Sequence, residues 1–132
     1  MRVIIAGSRT IEDYDIVKAA IAESGFAITT VLCGKAKGVD TLGERFALEN
    51  NIEISYHPAD WDKYGKSAGY VRNESMGKRA DALIDVWDGE SMGTGHMINV
   101  AKRRGLITHV KLTVPNEYVE KNYPQAYNNI QG

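Results

Sequence analysis

Apolar and polar positions alternate along this chain in two rhythms. Short apolar or β-branched runs occur at Arg2–Ala6, Ala27–Cys33, Ile52–Tyr56, Ala82–Trp87 and Leu106–Leu112, and each predicts a strand. The fourth is a continuous run of the kind a strand buried on both faces needs. Between these runs the spacing turns helical. Asp13–Ser24 carries Ile16, Val17, Ala20 and Ile21 on one stripe, with Gly25 placed to cap its end. Val39–Asn50 turns Leu42, Phe46 and Ala47 inward, Arg72–Arg79 keeps helical spacing without a proline, and Gly95–Arg104 aligns Met97, Ile98 and Ala101. Strands alternating with helices imply right-handed crossovers, so the pattern predicts an α/β domain built on a mainly parallel sheet of about five strands.

Two stretches fit neither rhythm. His57–Gly69 reads as the longest irregular segment, rich in aromatic and charged residues. Pro115–Gly132 is polar, carries Tyr118, Tyr123 and Tyr127, and is interrupted by Pro124. It is expected to form a short helix or a partly ordered arm packed on a partner chain. The expected division is therefore a domain over residues 1–114 and a tail over 115–132, with a homodimer or higher homo-oligomer as the assembly.

In a parallel sheet every strand-to-helix loop leaves at the carboxyl edge. The loops Gly7–Thr10, Gly34–Asp40, His57–Gly69 and Asp88–Thr94 should share one rim, where open α/β sheets bind ligands. Composition narrows which ligands. At 132 residues, 43% hydrophobic and 25% charged, the chain reads as one soluble domain with a real core. A net charge of −1 supplies no general attraction to nucleic acid or to an anionic membrane, though it leaves room for a local basic patch. No apolar run approaches membrane-spanning length, and the N-terminus runs into a strand instead of a signal peptide. Cys33 is a lone cysteine, which rules out an internal disulfide and fits a reducing cytoplasm. The histidines at 57, 96 and 109 lack metal-ligand spacing, so neither a metal nor a cofactor is expected.

The candidate chemistry lies in the rim loops. No G-x-G-x-x-G follows the first strand, and Gly34-Lys35-Ala36-Lys37-Gly38-Val39-Asp40 lacks the G-K-[ST] of a P-loop. A glycine-bearing loop that opens a helix beside Lys35 and Lys37 can still hold a phosphate through amides and point charges. Alternatively, both lysines are solvated and Asp40 is simply a first-turn acid. On the first reading, a valine at Gly38 would block backbone approach while the fold survives. Gly7, Ser8 and Arg9 place a small residue, a hydroxyl and a planar cation at the end of the first strand. Asp88 would accept ribose hydroxyls or merely cap the next turn, Asn73, Gly89 and Ser91 would join the nucleotide-binding set, and Gly93-Thr94 would offer a helix N-terminus to an anion. Trp61 and Tyr64 are the better candidates to stack on a base, because Trp87 at a strand end reads as packing. His96 is a candidate acid–base group or a hydrogen-bonded structural residue. Cys33 reads as core.

Together these residues resemble the SLOG superfamily, the Rossmann-like group named for DprA and the LOG enzymes, and most closely its small YspA-like branch. The resemblance covers residues 1 to 112. Cys33-Gly34-Lys35-Ala36-Lys37-Gly38-Val39-Asp40 is similar to the DprA pattern S-G-x-A-x-G-I-D. Arg72-Asn73-Glu74-Ser75-Met76 is similar to the LOG pattern R-K-x-x-M, and Gly93-Thr94 matches the G-T of P-G-G-x-G-T-x-x-E. The resemblance implies a single Rossmann-like three-layer domain that binds a nucleotide or nucleotide-derived small molecule, as sensor, sink or processing enzyme. It also implies alternatives: N-glycosidic or phosphoester hydrolysis, or a DprA-like nucleic-acid-binding module, which the neutral charge makes the weaker fit. In the LOG pattern the arginine and the last glutamate carry hydrolysis. Here Arg72 matches the arginine, but Met97 stands at the glutamate position and can neither move a proton nor stabilise a cationic sugar. Glu74, Asp88, Glu90 and His96 are the groups left to take that role, so whether chemistry follows binding stays open.

Overall fold

The computed structural model describes residues 1–131. The elements run β1 (Arg2–Gly7), α1 (Tyr14–Ser24), β2 (Thr30–Cys33), α2 (Val39–Glu49), β3 (Glu53–Tyr56) and α3 (Trp61–Tyr64). A 3-10 turn at Gly65–Ser67 leads into α4 (Ala68–Arg79), β4 (Ala82–Trp87), α5 (Met92–Arg103) and β5 (Ile107–Leu112). Two helices close the order, α6 (Asn116–Asn122) and α7 (Pro124–Gln131).

All five strands pair in parallel in the order β3-β2-β1-β4-β5, so the expected α/β Rossmann-like fold with a parallel sheet is what the chain forms. Strand side chains divide alternately between two cores, as the period-2 geometry of a strand requires. Val3, Ile5, Val31, Ile84 and Val86 pack under α1 and α2. Ile4, Leu32, Leu83 and Trp87 pack on the other face with Met76 of α4 and Met97 and Ile98 of α5. Each fully buried side chain of this kind contributes about 1.5–3 kcal/mol. β1 is central, with the chain passing to β2 and β3 on one side and later to β4 and β5 on the other. Strand order therefore reverses between β1 and β4, and a crevice opens above their carboxyl ends.

The irregular parts of the sequence are more ordered than their composition suggests. α4 begins at Ala68, four residues before the expected start, and α5 begins at Met92 instead of Gly95. Gly69 and Gly93 fall in those first turns and read as loop in the sequence, but the Ser91 side chain caps α5 by accepting the Thr94 N–H. The segment before α4 contains α3, whose cap is the Asp60 carboxylate accepting the Lys63 N–H at 3.1 Å. β2 starts only at Thr30, because Ala27 and Thr29 are tied to Met1 instead. The chain after Pro115 folds back onto its own core. Val119 and Ala126 are buried with Trp87, and the Tyr123 ring meets the Trp87 ring edge-on at 5.0 Å. Among the described residues, no helix is long and apolar enough to cross a membrane.

One core residue breaks the apolar rule. Asp85 lies in the middle of β4, opposite Ala6 of β1 and Val110 of β5, and is wholly buried. Neither carboxyl oxygen has a hydrogen-bond partner in the protein. Burial, and then the charge of Asp40, raises its pKa well above the ordinary carboxylate value. The folded protein thus holds this proton more tightly than the unfolded chain does. Stability conferred by that proton is complete below the unfolded pKa and falls as pH rises towards the folded one. Asp85→Asn keeps the shape and cannot ionise. Its unfolding free energy minus that of the wild type should grow above about pH 4, by up to about 1.4 kcal/mol per pH unit. Urea denaturation at a series of pH values measures this, and a difference that stays flat with pH would refute it.

Candidate functional site

The crevice is built on Ser8, which follows β1. Gly7 lets the strands close there, since a Cβ at that position would lie 2.1 Å from the Val86 carbonyl oxygen and 2.8 Å from Val39 Cγ2. The Ser8 N–H donates to the Val86 carbonyl at 3.0 Å, and its own carbonyl accepts the Val39 N–H at 3.2 Å. Its hydroxyl accepts the Asp88 N–H at 2.9 Å. Ser8 is fully buried and joins β1, β4 and α2. Arg9, next in sequence, is the residue that reaches the crevice.

Side chains of α2 and α4 hold the Gly34–Gly38 loop. Asp40, in the first turn of α2, accepts the Ala36 N–H at 3.1 Å. Burial raises its pKa, opposed by that N–H, Arg72 and Arg9. Arg72 of α4 reaches across to donate from Nη1 to the Gly34 carbonyl. Gly34 is required by both, because a Cβ there would lie 2.6 Å from Arg72 Nη1 and 2.7 Å from Asp40 Oδ2. Gly38 has φ +73°, and a Cβ would strike the Ser8 carbonyl at 2.3 Å. Gly38→Val would therefore disturb the loop's own packing on Ser8 and Arg9 as well as any close approach of a ligand. The Ala36 amide expected to meet a phosphate is already engaged by Asp40. Lys35 pairs with Glu44 at 3.2 Å, so Lys37 is the loop cation that remains free among the described residues.

Asn73 joins α4 to α5. Its Oδ1 accepts from Arg72 Nε at 3.1 Å, and its Nδ2 donates to the Gly93 carbonyl at 3.2 Å and to His96 Nδ1 at 3.1 Å. An amide donor on Nδ1 fixes His96 in the neutral tautomer with its proton on Nε2. Burial lowers its pKa further. Beneath them, Met97 is buried against the crevice wall. Asp88 closes the turn before α5. Its Oδ1 accepts the Glu90 and Ser91 N–H groups at 2.9 and 3.2 Å, and its Oδ2 accepts the Thr10 hydroxyl at 2.8 Å. Burial raises the Asp88 pKa, but these donors outweigh it and leave the carboxyl below its ordinary value. Among the described residues, the Met92 and Gly93 N–H groups at the start of α5 have no protein acceptor, so the positive end of the helix dipole opens on the crevice.

The predicted residues divide among several spaces. A narrow hollow of about 60 Å³ is walled by Gly7 and Arg9, by Ala36 and Asp40, by Arg72 and Asn73, by Ser91, Gly93 and Thr94, and by apolar Met97. Gly34, Lys35, Lys37 and Trp61 face a neighbouring cavity of about 500 Å³. Trp61 is 52% exposed and ready to stack. Tyr64 lies apart from it, in a third cavity with His57 and Ser75. Gly89, with φ +79°, packs against Val114 and Tyr118. Glu74 is engaged by Arg103 and Arg104 of the α5 end. His96 faces an apolar groove beside Tyr70, their ring centroids 4.4 Å apart. Cys33 is buried and its thiol is pushed up to about 11, mainly by burial, which leaves it no nucleophile at neutral pH. Among the described residues, no cluster of three or more His, Cys, Asp or Glu converges to hold a metal.

Pattern reading passed over Ala6 and Gly69, which also line the hollow, and the buried Asp85 of β4. Ala6 and Gly69 carry no chemical signal in a sequence. Asp85 does, as the one charge inside an otherwise apolar strand.

A profile of the YspA, cpYpsA-related SLOG family matches residues 1–64. The Gene 61 protein of Mycobacterium phage D29 is 34% identical over 115 residues, covering 80% of this chain and 91% of that protein. No solved structure matches the chain.

The Asn73 joint gives a direct expectation. Asn73→Ala leaves His96 Nδ1 and the Gly93 carbonyl without their donor and should lower stability by about 1–3 kcal/mol. Chemical denaturation of the two proteins measures the difference, and an unchanged midpoint would remove the joint from the account.

Proposed function

The chain belongs to the YspA, cpYpsA-related SLOG family, and from that footing we propose that it binds a nucleotide or nucleotide-derived small molecule at the carboxyl edge of its sheet. The observation that carries this reading is the hollow at the strand-order reversal. There Arg9 and Arg72 share the lining with Gly93, whose amide at the start of α5 is free. Two guanidinium groups and a helix N-terminus on one small space suit a phosphate. Trp61, at the edge of the adjoining cavity, suits a base. Asp88 belongs to the scaffold in this reading, since its oxygens are occupied by the turn it closes.

The side chains at the LOG-pattern positions argue against turnover; of the carboxylates that border the site, Asp40 is bonded to the Ala36 amide and Glu90 lies at a further cavity beyond the hollow. Cleaving an N-glycosidic bond needs a carboxylate or an activated water beside the sugar. Arg72 is permanently protonated and cannot act as a base. Met97 offers only a thioether to the hollow, and Glu74 is held by two arginines at the far end of α5. His96 faces the other side of Asn73.

Isothermal calorimetry with a panel of nucleoside monophosphates should give saturable binding. Arg9→Ala should weaken it by about tenfold or more, the worth of one charge-assisted hydrogen bond. Absence of binding across the panel would overturn the reading. Chromatography of the same mixtures should find little free base. Rapid base release by the wild type, abolished in Arg72→Ala, would make the protein a hydrolase instead. A gel shift should detect no tight, salt-dependent binding of DNA; sub-micromolar binding would favour the DprA-like alternative.

A further inference from the structure

The hollow is the waist of a longer trough. It shares Arg9, Ala36 and Arg72 with the 500 Å³ cavity on one side. On the other side it shares Arg9, Ser91 and Gly93 with a cavity of about 380 Å³. Arg9 therefore borders all three spaces. Ligand pockets ordinarily measure about 300–1,000 Å³, so each outer lobe has room for a ring and its sugar. At about 60 Å³ the waist holds only about four waters, at the ~15 Å³ each requires, which is the scale of a phosphate group.

A mononucleotide would fill the waist and one lobe, leaving the other empty. The two lobes also differ chemically. The larger is cationic and aromatic, with Lys37 and Trp61 at its walls. The smaller is bordered by Thr10, Glu90 and Met92. Met92 is 70% exposed, and the Glu90 side chain has no ion-pair partner among the described residues. An unpaired carboxylate beside an exposed thioether suits a flat ring that is neutral or cationic and repels one that is anionic.

We propose that the ligand is two-headed, a dinucleotide whose two ring-bearing ends lie in the two lobes while its phosphate bridge passes the waist at Arg9. This rests on the nucleotide-binding reading above and adds the second head. One base stacks on Trp61. The other, uncharged or cationic, lies on Met92 beside Glu90.

Oxidised nicotinamide adenine dinucleotide is the probe, since its second ring is cationic, and adenosine monophosphate and nicotinamide mononucleotide are its halves. Calorimetry with the full chain should show the dinucleotide binding at least about tenfold more tightly than either half, as expected when two weak contacts are joined by a linker of the right length. Glu90→Gln should weaken the dinucleotide several-fold and leave adenosine monophosphate unchanged. Trp61→Ala should weaken both. A dinucleotide that binds no better than adenosine monophosphate would overturn the two-headed ligand and leave the nucleotide reading standing. So would a Glu90→Gln variant that weakens both ligands equally. Failure of all three probes to bind would overturn both readings.

Discussion

The site depends on the way two parallel strands are pinned together where the sheet changes direction. Parallel neighbours whose helices lie on opposite faces tend to splay at their carboxyl ends, and that is where a ligand needs fixed walls. Here one buried serine prevents it. Ser8 bonds to β4, to the turn beyond β4, and to the start of α2. Gly7 provides the closeness by having no side chain to keep Val86 and Val39 away. The positions of Arg9 and of the α5 terminus both follow from that joint, because they are the next residues outward on its two arms.

A second constraint is the supply of hydrogen-bond donors. The loop after β2 reads as an anion cradle, yet much of its polarity faces inward. The Ala36 amide goes to Asp40, the Gly34 carbonyl to Arg72 and the Lys35 ammonium to Glu44. These bonds fix the loop, which would otherwise be mobile with two glycines in five residues. What the fold leaves unengaged is narrower: the Arg9 guanidinium, Lys37, and the first amides of α5. A rigid wall with a few open donors favours binding more than a flexible one with many, because little order is lost on association.

The sheet was legible because strand periodicity and β-branching are local signals, and all five runs are strands. The early starts of α4 and α5 were not, since a glycine in a first turn looks the same in sequence as a glycine in a loop. The fate of the segment after Pro115 was not legible either. Val119 and Ala126 become core residues only through contact with Trp87 and α5, and such long-range packing leaves no periodic trace in a short polar stretch. Within the site, residue types at the strand ends indicated the rim. Which polar groups face the crevice and which face each other was decided by three-dimensional bonding, as Ser8 and Asp88 show. Asp85 carried a visible signal, a lone acid in an apolar strand, that periodicity alone does not weigh.

The Tyr123 hydroxyl donates to the carbonyl of Glu90, in the turn just before α5, while its ring rests on Trp87. The junction of α6 and α7 is thus latched to the same turn that closes the crevice. Thermodynamic linkage is reciprocal. Whatever steadies the Asp88–Ser91 turn from the crevice side must also make α7 harder to peel away, and by an equal free energy. The C-terminal helices therefore act as a remote gauge of occupancy, and amide exchange along α7 would register a guest that never touches it.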